Sequence, residues 1–366
     1  MMKKTFQLCI TLCVVVASTI FTGCKKDDVN DPDFNPKHFH GAFITCEGGF
    51  NANNGSISFL DDKTGELTNH FYASVNKPSE LGDIVQSFSV AGDKGYIVVN
   101  NSQKIEVVDM VTFKKIGTIT ELDYPRYFLE VDNKRGYLTN GSGAGQVLVI
   151  DLANDEIIDR VDVGNGPEAL VKVGDIVFVA NSGGFGVDET VSVIDTRNGD
   201  NKLIETITVG KCPVAMVVDK NNDLWVLCKG VYSYTENKVL HNARLVKINT
   251  TKYSIEMNLE FEGTLGSYGT RLLGISPEKD VLYFGNGGIF KMNISSETLP
   301  AEALINAPSG SFYGLAVIPD NGDLYGFEQV WTGGESGPGK MYRYNKDGEK
   351  IDDYTTGIGP NGVVFH

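Results

Sequence analysis

Val191-Ser-Val-Ile-Asp195 is one of seven copies of a short, mostly apolar run that ends in Asp or Asn. The others are Ile57-Ser-Phe-Leu-Asp61, Ile105-Glu-Val-Val-Asp109, Val147-Leu-Val-Ile-Asp151, Leu245-Val-Lys-Ile-Asn249, Ile289-Phe-Lys-Met-Asn293 and Met341-Tyr-Arg-Tyr-Asn345. Their last residues lie 48, 42, 44, 54, 44 and 52 positions apart. Four-stranded propeller blades repeat with periods of roughly 40–50 residues. The clearest copies alternate by twos, as a half-buried strand does. An Asp or Asn in the closing place accepts from the backbone two residues on and starts a tight turn. That duty, rather than a ligand role, is expected of all seven.

Around Val191 the rest of a unit falls into place. Ala169 to Val173 reads as strand A, Gly174-Asp175 as a turn, Ile176 to Ala180 as strand B, and Leu203 to Val209 as strand D. Complete units begin near Ile84, Arg126, Glu168, Pro213, Arg271 and Phe312. The first unit, from Gly41, has no strand A. The last residues, Gly359-Pro-Asn-Gly-Val-Val-Phe-His366, match the start of strand A in Gly166-Pro-Glu-Ala-Leu-Val171. The predicted fold is all-β: a seven-bladed β-propeller of four-stranded antiparallel blades, its ring closed by the C-terminal strand joining the N-terminal blade. Closure removes the open edges. With 42 Gly and frequent Asp-Gly and Asn-Gly pairs, short strands are punctuated throughout and no long helix is expected.

The chain has 366 residues. A blade cannot bury its faces without neighbours, so one repeat domain is expected over 41–366. Ahead of it, Lys3 and Lys4, the apolar stretch from Leu8 to Phe21 and Phe21-Thr-Gly-Cys24 resemble a bacterial lipoprotein signal over 1–23, with Cys24 as the lipidated residue. An ordinary secretory signal is the plainer alternative. Residues 24–40 read as a lipidated tether, poor in apolar side chains. The net charge of −15 becomes −17 once Lys3 and Lys4 leave with the signal. Such a balance disfavours nucleic acid, whose binding needs Lys and Arg at phosphates. Of the six Cys, Cys46, Cys212 and Cys228 remain in the folded part. Cys212 and Cys228 face each other across one A–B hairpin, either paired or as buried thiols.

The A–B and C–D turns are short and uniform, while the B–C loops vary widely. Variation confined to one face of a repeat protein marks a binding face, or else tolerated drift. Residues leaving strand B are expected around the mouth of the ring: Glu47, Asn100, Asn140, Asn181, Lys229, Asn286 and Glu328. The D–A side adds Gln86, Arg126, Tyr127, Glu168, Arg271, Tyr313 and Asn361. Phe50, Tyr124, Phe185, Tyr232, Tyr234, Tyr268, Phe312 and Trp331 bring aromatic rings to the same loops. Aromatic plates with scattered amides suit a large, flat, partly polar ligand, and Arg126 or Arg271 can stack on a ring or hold an oxygen. The Asn residues also have a bland role, ending strands. No G-x-S-x-G elbow, CxxC spacing or His/carboxylate triad is present, so neither catalysis nor a metal is expected.

Val191-Ser-Val-Ile-Asp-Thr196, Val209-Gly-Lys-Cys-Pro-Val-Ala215 and Val177-Phe-Val-Ala-Asn181 resemble the YVTN-type, YncE-like propeller repeats. Leu81-Gly-Asp-Ile84, Asn101-Ser-Gln-Lys-Ile-Glu-Val-Val-Asp109, Arg126-Tyr127 and Ala180-Asn-Ser-Gly-Gly184 resemble the BtuG-type surface lipoproteins of gut Bacteroidetes. The likeness runs over the whole mature chain, including Cys24. It implies a surface-exposed, lipid-anchored protein of the outer membrane. Such a protein captures cobalamin or a related corrinoid on the loop face and passes it to a TonB-dependent transporter, without a cofactor of its own. The alternatives are a propeller that binds another protein or a glycan, and a metal-dependent lactonase or lyase.

Overall fold

The computed structural model describes residues 39–266, 271–332 and 334–366. The signal, Cys24, most of the tether and Tyr268 lie outside the described residues. Seven antiparallel sheets follow one another along the chain. Blade 2 (Val85–Ala91, Lys94–Val99, Lys104–Asp109, Lys115–Ile119) sets the pattern, each strand pairing with the next in sequence. Blades 3, 4, 5 and 7 repeat it, with outer strands Glu156–Asp162, Lys202–Thr208, Ser254–Glu260 and Lys350–Ile358. In blade 1 the innermost strand is Pro360–Phe365, which pairs with Gly41–Cys46, and Ser56–Asp61 and Leu67–Thr68 follow outward. The expected closure is therefore present, and Gly41 and His366 exchange backbone hydrogen bonds of 2.9 and 3.0 Å. Gly359 makes the turn into this strand with φ of +62°, where a side chain would be strained.

Blade 6 departs from the four-strand rule. It has three strands, Leu273–Ile275, Val281–Asn286 and Gly288–Asn293, and then a single bridge between Ile289 and Ile305. Pro300 and Pro308 in the following segment have no N–H to give to a ladder. The B–C segments of two blades are ordered hairpins rather than open loops. In blade 5, Val231–Ser233 pairs with Lys238–His241. In blade 7, strands Leu324–Thr332 and Glu335–Tyr344 run on past the sheet, pairing Trp331 with Ser336. Helix is confined, among the described residues, to Phe71–Val75 and one 3-10 turn at Arg197–Gly199.

The core is a series of layers between blades. Phe178, Val191 and Val193 of blade 4 pack on Met216, Leu224 and Val226 of blade 5. Ala42 and Ile44 of blade 1 pack on Tyr325, Phe327 and Met341 of blade 7. Strands such as Gly41–Cys46 are buried on both faces, whereas Lys202–Thr208 at the rim is nearly all exposed. Each buried large apolar side chain is worth about 1.5–3 kcal/mol, so no blade is stable without its neighbours.

All seven repeat-closing residues make the expected turn. The side-chain oxygens of Asp61, Asp109, Asp151, Asp195, Asn249, Asn293 and Asn345 accept from the backbone N–H two residues on, at 2.7–3.2 Å. These turns lie on the face opposite the B–C loops. The chain enters the first blade on that same face. The backbone of His40 accepts from Asp62 N, and the Phe39 ring sits 5.5–6.2 Å from those of Phe43, Phe59, Phe71 and Phe113.

Candidate functional site

The B–C and D–A segments enclose a cavity of about 1090 Å3 at the mouth of the ring. Small-molecule sites run from roughly 300 to 1,000 Å3, so this one is sized for a large ligand. Its rim is aromatic. Phe185 is 79% exposed and Trp331 61%, with Phe50 and Tyr234 similarly bare. Tyr124 meets Phe185 edge-on at 5.4 Å, and Tyr232 meets Tyr234 at 5.1 Å. Tight backbone turns hold the Phe185 loop in place. A Cβ on Gly166 would run into the backbone of Gly183 and Gly184.

The floor is polar and charged. Arg126 Nη2 donates to Glu168 Oε1 at 2.6 Å. Burial works against the Arg126 cation, but the Glu168 charge beside it wins and raises its pKa. Glu47 accepts from Tyr313 OH at 2.5 Å and from Asn361 Nδ2 at 2.7 Å. Burial pushes the Glu47 carboxyl above its usual range, against the pull of those two donors and of Arg126 and Arg271. Burial likewise draws the Lys229 ammonium down, with Glu168 opposing. Tyr313 is raised well above an ordinary phenol by burial and by Glu47.

Thirteen of the residues expected at the mouth line this cavity: Glu47, Gln86, Asn100, Arg126, Glu168, Lys229, Tyr313 and the rings of Phe50, Tyr124, Phe185, Tyr232, Tyr234 and Trp331. Eight of the described ones do not, among them Asn361, which donates to Glu47 and to the backbone of Gln86. Tyr127 and Arg271 line a second space of about 360 Å3, walled by the innermost strands. There the Arg271 guanidinium lies 5.1 Å over the Tyr127 ring, and Gln86 Nε2 donates to Tyr127 OH. The two residues Arg126 and Tyr127 lie just before the strand Phe128–Glu130, with Arg126 on the mouth and Tyr127 on this second space. Asn140 accepts from Asp123 N, and Asn181 donates to Thr190 and Ser192 inside its own blade. Both serve the bland role of closing strands. Asn286 ends a strand at a one-residue turn, opposite Gly288. Glu328 is turned away by a bulge between it and Val330. It accepts from Ser309 N and Tyr342 OH instead.

The same bulge puts Gln329 on the cavity, a residue not expected there from the pattern of strand ends. Ser142, Ser182, Val187 and Cys212 also line it. Of the expected aromatics, Phe312 is in the core instead. Cys46, Cys212 and Cys228 are free thiols, and burial raises Cys46 to about 11. Among the described residues, no group of three or more His, Cys, Asp or Glu is arranged to hold a metal ion.

Residues 40–365 match the family model described as a domain of unknown function, DUF5074. A quinonprotein alcohol dehydrogenase-like protein from Bacteroides thetaiotaomicron has a similar structure, with a TM-score of 0.67 and 17% identity over 90% of this chain and 78% of that one. Hydrazine synthase from Kuenenia stuttgartiensis is similar with a TM-score of 0.57 and 16% identity, over 80% of this chain and 92% of that one. At such identities the likeness is one of fold alone. No curated protein sequence matches the chain.

Proposed function

The chain belongs to the DUF5074 family of β-propeller proteins of unknown function, and from its mouth we propose that it captures a corrinoid such as cobalamin. The observation that carries this is the cavity of about 1090 Å3 with an exposed aromatic rim over a mixed-charge floor. A corrin is a broad, flattened macrocycle fringed with amides. Rings such as Phe185, Tyr232 and Trp331 stack on such a surface, and the floor offers both donors and acceptors. In this reading the protein binds without transforming its ligand. Cys24 carries the lipid that holds it at the outer-membrane surface, and a TonB-dependent transporter receives the cargo.

Purified protein mixed with cyanocobalamin tests the reading. The colour is expected to co-elute with the protein, and titration to give a dissociation constant well below about 1 μM. Affinity no tighter than that overturns it. The bare rim also favours a second reading, a docking face for another protein, which is the conclusion if corrinoids do not bind and a transporter subunit does.

A further inference from the structure

Resting on that reading, we propose that the Arg126–Glu168 pair is a receptor for one primary carboxamide of the ligand. Glu168 Oε2 accepts an amide N–H, and Arg126 Nε–H donates to the amide oxygen.

A guanidinium and a carboxylate can form two parallel hydrogen bonds. Here one is made, Nη2 to Oε1, and the other halves stay open. Arg126 Nε and Glu168 Oε2 are both buried and both without a partner. Unmet polar atoms away from water are costly and need a reason. Both residues line the cavity, and Glu168 is only 5% exposed. Purely structural pairs elsewhere differ. Arg135 gives both Nε and Nη2 to Asp132. Arg343 also has an open Nε, but its partner Asp323 has no orphaned oxygen and neither lines the mouth.

The leftover atoms are one donor and one acceptor. A primary amide presents the complementary pair. An anion would satisfy Arg126 but meet Glu168 and Glu47, and a cation would meet Arg126 and Lys229. The charged residues lining the cavity are these two acids and two bases, with no excess of either sign to favour an ion. A neutral group able to donate and accept is what remains.

The test compares cyanocobalamin with its isomeric peripheral monocarboxylates, each with one amide hydrolysed, at pH 7. Wild-type protein is expected to bind at least one of these acids about tenfold or more weakly than cyanocobalamin. In Glu168→Gln, at unchanged Tm, that penalty is expected to shrink to about twofold or less. Arg126→Lys keeps the charge but loses Nε, and is expected to weaken cyanocobalamin about fivefold or more. Equal wild-type affinity for all the acids, tighter binding of an acid, or an undiminished penalty in folded Glu168→Gln each overturns the amide receptor while the corrinoid reading stands. No affinity for any corrinoid overturns both. Should Glu168→Gln not fold, the wild-type comparison and Arg126→Lys still decide.

Discussion

Glu47 shows how a single residue at the mouth ties stability to pH. Its carboxyl is raised by burial in spite of the bonds from Tyr313 and Asn361. A carboxyl whose pKa is higher in the folded than in the unfolded chain stabilises the fold at low pH. That contribution is lost as pH rises through the folded value. Glu47→Gln keeps the shape and is free of this penalty. Its stability relative to wild type is therefore expected to rise from about pH 4 to neutrality. Urea unfolding across that range measures it, and a pH-independent difference contradicts it. At this scale the sequence was legible where the chemistry is local. An Asp or Asn that accepts from the residue two places on needs nothing but its neighbours, and all seven turns follow. Asn140 and Asn181 were not legible as strand-closers rather than ligand contacts, because that depends on which way a buried amide turns.

At the level of elements, the period-two pattern identifies strands but not the places where it slips. The bulge after Glu328 exchanges the sides of two adjacent polar residues, so Gln329 faces the mouth and Glu328 the blade. Nothing in Phe327-Glu-Gln-Val330 announces that slip. The extended hairpins of blades 5 and 7 were likewise legible only as long connections. Blade 6 carries the clearest consequence. Its outer position is filled by one bridge at Ile305, where blades 2, 3, 4, 5 and 7 have a paired strand. Backbone without a ladder opens easily. Hydrogen exchange over 294–304 is expected to be markedly faster than over Glu156–Asp162 or Ser254–Glu260. Equal protection would mean that the bridge is as strong as a strand.

For the molecule as a whole, stability rests on the ring being shut. Pro360–Phe365 joins the two ends of the chain, and its Asn361 also reaches Glu47 and the backbone of Gln86. Removal of 359–366 bares the inner edge of blade 1 and part of the layer against blade 7. It is expected to cost a large part of the roughly 5–15 kcal/mol typical of a folded domain, and to broaden thermal unfolding. A truncated protein that melts as sharply and as high would show that closure adds little. The seven-fold count was legible because the repeat is in the sequence and closure follows from the orphan strand. The size of the cavity and the second space were not, since the first depends on how far each loop leans over the axis and the second on how closely the innermost strands approach one another.

Phe39 and His40 sit on the underside, away from the opening. A pull applied to the chain ahead of Phe39 is therefore taken up by blade 1, the blade built from both ends of the chain, on the side away from the mouth.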